Sequence, residues 1–397
     1  MRSLLNYKNY GGLWRVYGRS VVRYGTLKKT MNALQTEWAY RRRKVAVRSR
    51  PYVLFIEPLY YCNLACPLCD REVYPDARKK DQKKLPLDVF DDLLEQIGDY
   101  LFQCHIFGVG EPLLDWRLTR KVIEKSHARR IFTLLRTKCT LITEKMAEEI
   151  VSSGLDHIVC AIDGVSQGAY SAYRVGGDAK VAIAGMRLLA EARRRAKSSI
   201  AIEWQFLVNR FNAGEMDEAR QIAKEMGVTM RFSALGGMAH NKALQEHWLP
   251  PTEKWQDGGV NEGQSRYEWA CYWLWRGVVV NSNGHVARCP GYQTVTDIGA
   301  LQTTKLMDIY DSPSSRRSRE LYVRGPVAAG SFPEPCNSCS FYSRHHGGAP
   351  VAKSAAIAAL EAQKASTQAT SGTPGFVASE AVGIRRLHVR DVVAESR

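Results

Sequence analysis

The sequence predicts an α/β fold, a partial six-stranded β/α barrel followed by a small cysteine-rich domain. Three observations predict it. Six strand-like runs alternate with helix-like runs between Pro51 and about residue 235. That rhythm then stops, and Gly, Trp and Cys become common through about residue 345. Seven of the ten cysteines fall in close spacings, at 62, 66, 69, 271, 289, 336 and 339.

The expected strands are Val53–Tyr60, Phe102–Val109, Arg130–Arg136, His157–Ile162, Ile200–Val208 and Val228–Phe232. Each is short, apolar and bounded by turn residues. Between them, apolar residues recur every three or four positions, which is helical periodicity. The expected helices are Leu87–Ile97, Leu118–Arg129, Thr143–Ser152, Ala179–Lys197 and Ala213–Met226. Pro86 suits a first turn and Gly227 a stop. Strands alternating with helices make a parallel sheet, and right-handed crossovers curl it into a partial (β/α)6 TIM-like barrel. Chemistry in such barrels sits at the carboxyl ends of the strands. Beyond the barrel, a hairpin is expected at Gly277–Arg288 around the turn Asn283-Gly284. The expected organisation is an arm over 1–50, a core over 51–235, a cysteine-rich domain over 236–345 and a low-complexity tail over 346–397. In that tail Ala355–Lys364 reads as helical and Ala365–Phe376 as disordered.

The formal charge of +16 is uneven. Residues 1–50 hold thirteen Lys/Arg and one acid, Glu37, which is +12 and leaves +4 for the rest. Tyr10, Trp14, Tyr17, Val21, Tyr24, Leu27, Met31, Leu34 and Trp38 recur at helical spacing in this arm. Gly18 and Gly25 divide it, so two short helices are expected. The arm reads either as a collar on its own barrel or as a basic interfacial segment for an anionic membrane surface. No nucleic-acid recognition motif accompanies the charge. No apolar run reaches the ~20 residues of a membrane span, and no apolar stretch reads as a secretory signal. The expected compartment is a reducing cytoplasm, where many cysteines point to metal or redox chemistry rather than disulfides. Cys104, Cys139 and Cys160 are isolated and read as core thiols.

Cys62, Cys66 and Cys69 form C-x3-C-x2-C just after the first strand. Three close thiols can hold three irons of a [4Fe–4S] cube and leave the fourth open to a ligand. A zinc site instead uses paired C-x2-C knuckles. Gly108-Val109-Gly110-Glu111-Pro112 follows the second strand, where glycines let backbone approach a ligand and the carboxylate complements an ammonium. Cys271, Cys289, Cys336 and Cys339 make a second set, able to saturate one cube or one structural zinc.

The cysteine triplet and the Gly-x-Gly-Glu-Pro segment resemble the radical S-adenosylmethionine (SAM) superfamily. The second set, Cys271-x17-Cys289 with Gly284-x4-Cys289 inside it, then Cys336-x2-Cys339 and Asp308-Ile309-Tyr310 before the closing cysteines, resembles its SPASM/twitch auxiliary-cluster subgroup. The resemblance covers residues 51–345. It implies SAM on the open iron, reductive cleavage to a 5′-deoxyadenosyl radical, and hydrogen abstraction from an unidentified substrate. It also implies one auxiliary [4Fe–4S] cluster as electron acceptor, and a flavodoxin- or ferredoxin-type reductant. Leu68 matches the position that packs on adenine. Gly108, Gly110 and Glu111 match the segment that receives the SAM ammonium. Asp163, in Ala161-Ile162-Asp163-Gly164, matches the segment near the ribose, and Arg174 matches an arginine close to SAM. Lys138 and Cys139 depart from the family's Asn-Gly, and Cys139 becomes a candidate hydrogen-atom donor for an epimerase. Oxidation or oxidative bond formation is the expected outcome; epimerisation and peptide modification are rivals. From another class, the rival is a basic Fe–S- or zinc-stabilised nucleic-acid-binding protein.

Overall fold

A computed structural model describes residues 18–73, 83–235, 242–250, 271–291, 296–324 and 336. The tail and Cys339 lie outside the described residues.

Six parallel strands follow the chain: β1 (Val53–Ile56), β2 (Gln103–Ile106), β3 (Phe132–Thr137), β4 (His157–Ala161), β5 (Ala201–Val208) and β6 (Thr229–Ala234). Each pairs in parallel with the next. Successive side chains on a strand point to opposite faces, so one register builds two layers. Leu54, Ile56, Cys104, Ile106, Leu135, Ile158, Cys160 and Trp204 pack against the helices. On the other face stand Phe55, His105, Arg136, His157, Glu203 and Arg231. Both faces are occupied, as a parallel sheet requires.

The expected elements form, with shifted ends. β1 ends at Ile56, four residues before the expected Tyr60. The cause is Pro58, which lacks a donor and restricts the residue before it. The helix Leu87–Ile97 forms as expected and buries Phe90, Leu93, Leu94 and Ile97 on one face. Asp115, Thr143 and Asp178 cap the three helices that follow, each accepting a backbone N–H in the first turn. The helix expected from Ala213 begins at Met216, after a 3-10 turn, and stops at Gly227 with φ +66°. Gln167–Tyr173 is a helix that the sequence reading missed; its signal was Ser166, whose hydroxyl caps it.

The cysteine-rich region is not a detached domain. Its first strand, β7 (Gly277–Val280), pairs in parallel with β1, followed by antiparallel β8 (His285–Ala287) and β9 (Asp297–Ala300). One nine-stranded sheet results, in the order β6-β5-β4-β3-β2-β1-β7-β8-β9. The reason is local. Gly-Val-Val-Val is buried at every position, and the edge of β1 supplies the partner that a fully buried strand needs. The expected hairpin is β7–β8, with Gly284 at φ +78° in its turn.

The arm packs on the barrel as two helices, over residues 18–24 and Leu27–Arg41. Gly25 divides them: a Cβ there would stand 2.4 Å from the Val21 carbonyl oxygen. Val21 and Ala33 pack on Tyr52, Val53, Phe55 and Phe102. Among the described residues no helix is long and apolar enough to cross a membrane.

Candidate active site

The site gathers where β1, β2 and β4 end. After β1 the chain crosses Glu57 and Pro58 and enters the cysteine loop. Arg71, on the short helix Asp70–Val73, donates to the carbonyls of Cys62 and Leu64. The Cys69 N–H donates to the Cys66 carbonyl (3.0 Å), and the Ala65 N–H to that of Val175 (3.0 Å). Cys66 is buried with Leu64, Tyr173, Leu235 and Trp248, and Cys62, Leu68 and Cys69 pack against this group.

The second strand contributes the glycine segment. Glu111 donates its N–H to the Tyr61 carbonyl (2.7 Å), which ties this segment to the cysteine loop. A Cβ on Gly110 would lie 1.9 Å from the Leu59 carbonyl oxygen, so only glycine permits the approach. The Glu111 carboxylate is enclosed. It accepts the N–H groups of Leu113 (3.1 Å) and Lys138 (3.0 Å). The Lys138 ammonium donates to the Gly110 carbonyl (2.9 Å) and lies 3.5 Å from Glu111. An ammonium therefore already meets the acceptors that the resemblance gives to the SAM ammonium, and it comes from a residue where the family pattern has asparagine.

Just after the fourth strand comes Asp163, and Arg174 follows the helix Gln167–Tyr173; both are buried. Arg174 Nη2 lies 2.6 Å from Asp163 Oδ2, and Nη1 lies 3.5 Å from the sulfur of Cys66. Asp163 Oδ1 accepts the Leu207 N–H (2.7 Å). Its carboxylate therefore meets Arg174 and the Leu207 backbone, and its Oδ2 has no hydrogen-bond partner among the described residues. Arg174 is a buried partner of a cysteine sulfur.

Glu57 was missed by sequence reasoning. It is buried, and it accepts the N–H groups of Val109 (3.0 Å) and Ser282 (3.1 Å). It joins the ends of β1 and β2 to the β7–β8 turn. Gly108 makes room for it, since a Cβ there would come within 2.3 Å of its carboxylate. Only the β1–β7 pairing gives Glu57 its second partner, so no local signal marked it.

Cys139 does not join the site. Its side chain is fully buried in the core between sheet and helices, with Cys160. Burial, with Cys160 close by, raises its thiol well above the ordinary value. A hydrogen-atom donor must reach the substrate, and this thiol faces the helix layer.

The residues of the first site fit a cofactor pair. Three thiols on one loop are the donor set of a cube with one open iron, although among the described residues no three His, Cys, Asp or Glu side chains converge as they would on a single metal ion. Around them Asn63 Oδ1 and Arg174 Nε are buried without hydrogen-bond partners, and backbone approaches closely at Gly110. The profile of the radical SAM superfamily matches residues 56–202. That of the SPASM iron–sulfur cluster-binding domain matches residues 271–340. This chain is a radical SAM enzyme with a SPASM domain. It is similar to the PqqA peptide cyclase of Gluconobacter oxydans, at 26% identity over 76% of this chain and 86% of the relative. It is also similar to the mycofactocin maturase MftC of Mycobacterium ulcerans, at 24% identity over 76% of this chain and 84% of the relative. In fold it resembles Streptococcus suis SuiB bound to its precursor peptide SuiA. The TM-score is 0.53 and the identity 16%, over 80% of this chain and 76% of that one. The cofactors of the enzyme are SAM, a [4Fe–4S] cluster and an auxiliary iron–sulfur cluster. That decides the second cysteine set for iron–sulfur over zinc and the chain for an enzyme over a nucleic-acid-binding protein.

In the SPASM region of the enzyme, Cys336 is buried with Trp275, Tyr310, Leu321 and Tyr322, and Cys271 packs against them. Tyr310, from the Asp308-Ile309-Tyr310 segment, donates its hydroxyl to the Trp275 carbonyl. Arg319 donates to the carbonyls of Leu274 (2.8 Å) and Tyr310 (2.8 Å) and pairs with Asp311 (3.0 Å). Cys289 follows β8.

Within the barrel the enzyme carries a polar lumen. Arg231 pairs with Glu203 (2.6 Å), and His157 lies 3.8 Å from the same carboxylate. His105 stacks at 4.8 Å from Phe55 and shares a hydrogen bond with Gln103 (2.8 Å). Burial, then the Arg136 charge, brings the His105 imidazole down to about 3, so it is neutral near pH 7. Arg136 lies 4.9 Å over the Phe107 ring, and its Nε has no hydrogen-bond partner among the described residues. Burial, then the Arg231 charge, lowers it to about 10. It remains a cation, and among the described residues Arg136 and Arg231 share the charge of Glu203.

Proposed function

We propose that this enzyme oxidises a peptide, and that Arg136 receives an acidic group of that peptide inside the barrel. The observation that carries this is the unbalanced charge of Arg136. Glu203 forms its ion pair with Arg231 (2.6 Å) and acts on Arg136 through its charge alone, whereas Arg136 makes contact with an aromatic face and has a second guanidinium nearby. A half-buried cation without an ion-pair partner of its own is costly, and a substrate carboxylate offsets that cost with a two-pronged hydrogen bond. The peptide class is supported by the relatives, one of which acts by name on the PqqA peptide.

In this reading Cys62, Cys66 and Cys69 hold the catalytic cluster, and Cys271, Cys289, Cys336 and Cys339 the auxiliary one. Bound SAM and the reduced cluster supply a 5′-deoxyadenosyl radical that takes hydrogen from a substrate carbon. Gly108 and Gly110 bring backbone to the cofactor, Leu68 packs beside it, and Glu111 fixes the loop that carries Lys138. Lys138, at the Gly110 carbonyl and beside Glu111, would supply a positive charge to an anionic group of the bound cofactor. Arg174 holds positive charge at Cys66, and Asp163 positions Arg174. The cluster held by the second cysteine set would serve to take up the substrate electron, and a flavodoxin- or ferredoxin-type protein would supply the first one. The compartment is the cytoplasm.

The experiment is formation of 5′-deoxyadenosine by reduced enzyme with peptides that differ only as Glu or Gln at one position. Acidic peptides should stimulate it, and Arg136→Gln should abolish the stimulation while leaving the slow substrate-free cleavage intact. Stimulation that is equal for Glu and Gln peptides would sink the assignment to Arg136.

A further inference from the structure

We infer that the arm helix Leu27–Arg41 docks the enzyme onto an anionic membrane surface through an apolar stripe turned away from the protein. A helix on a globular surface normally buries its apolar face and shows its polar one. This helix does the reverse. Leu27, Met31, Leu34 and Trp38, spaced four, three and four apart, share one face and are 80%, 49%, 58% and 57% exposed. Val22, on the preceding helix, is exposed as well. The opposite face is buried and mixes polar residues with Ala33, Ala39 and Tyr40. Lys29 donates to the Arg130 carbonyl, and Asn32 exchanges hydrogen bonds with the Arg50 backbone (2.9 Å each). Thr36 donates to the Asn32 carbonyl and bonds to Ser49. The helix is held to the barrel by these hydrogen bonds together with packing of Ala33, Ala39 and Tyr40, and among the described residues nothing covers its hydrophobic stripe.

Charge says what covers it. Arg41, Arg42, Arg43, Lys44 and Arg48 are exposed beside the Trp38 end of the stripe, and the Lys44 ammonium lies 5.9 Å from the Trp38 ring. The single acid of residues 1–50, Glu37, is turned inward against Arg276 (2.6 Å) and Tyr52 (2.7 Å). On neighbouring elements, Asp99 is taken by Lys28 (2.6 Å) and Asp156 by Arg23 (2.8 Å). A second copy would set this cationic face against another. Residues 337–397 carry seven Lys/Arg and four Asp/Glu, so they too are net positive. A bilayer with anionic headgroups accepts the apolar residues into its boundary and the cations at its surface.

The same contacts fix the orientation. Lys29 sits on Arg130, Tyr24 on Asp156 (2.8 Å) and Lys28 on Asp99. All three lie just before β2, β3 or β4, at the end of the barrel opposite the cysteine loop. A docked enzyme therefore opens its active site away from the bilayer, and its substrate comes from the aqueous side.

The test uses the full-length, cluster-loaded enzyme and two kinds of vesicle. One is phosphatidylcholine alone; the other is phosphatidylcholine with one-third phosphatidylglycerol. The enzyme should sediment with the anionic vesicles, not with the neutral ones, and less at high salt. The double variant Leu34→Gln/Trp38→Gln should bind roughly tenfold more weakly or worse. Its melting temperature should not fall, because both residues are exposed. Equal sedimentation of enzyme and variant would overturn the inference. So would a dimer on gel filtration that the variant converts to monomer, which would give the stripe to a second copy.

Discussion

The guanidinium of Arg174 lies 2.6 Å from the carboxylate of Asp163, and both side chains are buried. Removing one partner of such a pair strands a charge away from water, which costs about 3–5 kcal/mol. Asp163→Asn should therefore lower unfolding stability by about that much, and Asp163→Asn/Arg174→Met should recover part of it. Denaturant unfolding of parent, single and double variants checks this. A single-variant loss below about 1 kcal/mol would show that Arg174 finds another partner.

The two cysteine sets should load independently. Changing Cys62, Cys66 and Cys69 to Ala should remove about four irons and abolish reductive SAM cleavage. The auxiliary [4Fe–4S] signal should survive in that variant. Iron analysis and electron paramagnetic resonance read both outcomes, and 5′-deoxyadenosine made by the triple variant would contradict the cluster assignment.

Cys139 is a non-glycine residue at φ +62° with its thiol in the core. Cys139→Ala removes one buried sulfur and should cost about 1 kcal/mol in stability. It should leave the product and its stereochemistry unchanged, because the thiol faces the helix layer. Deuterium incorporation from solvent into product, lost in this variant alone, would restore the hydrogen-donor role.

His105 makes the fold sensitive to acid. Its folded value of about 3 lies below the ordinary 6.5, so on acidification the unfolded chain takes up the proton first. The contribution is fully present above 6.5 and is lost as pH falls from there toward 3. His157, also lowered mainly by burial, acts in the same direction. His105→Gln should flatten the fall in denaturation midpoint between about pH 7 and about pH 5. A slope identical to that of the parent would place the acid sensitivity elsewhere.

What could be read from the chain was what local spacing encodes. The cysteine triplet, the Gly-x-Gly-Glu segment and the alternation of strands with helices each lie within a few residues, so chemistry and barrel were legible together. The arm's periodicity was legible too, as two helices with one apolar stripe. Tertiary structure decided which way things face and what meets across the fold. It turned the stripe outward, because Lys29, Asn32 and Thr36 found backbone and side-chain partners on the barrel while Leu34 and Trp38 did not. It enclosed Asp163 with Arg174 and sent Cys139 to the helix layer. It fused the auxiliary region to β1, which alone gives Glu57 a partner at Ser282, 225 residues away. Hydrogen bonds and ion pairs depend on distance in space, and sequence spacing fixes that only within a turn or a strand.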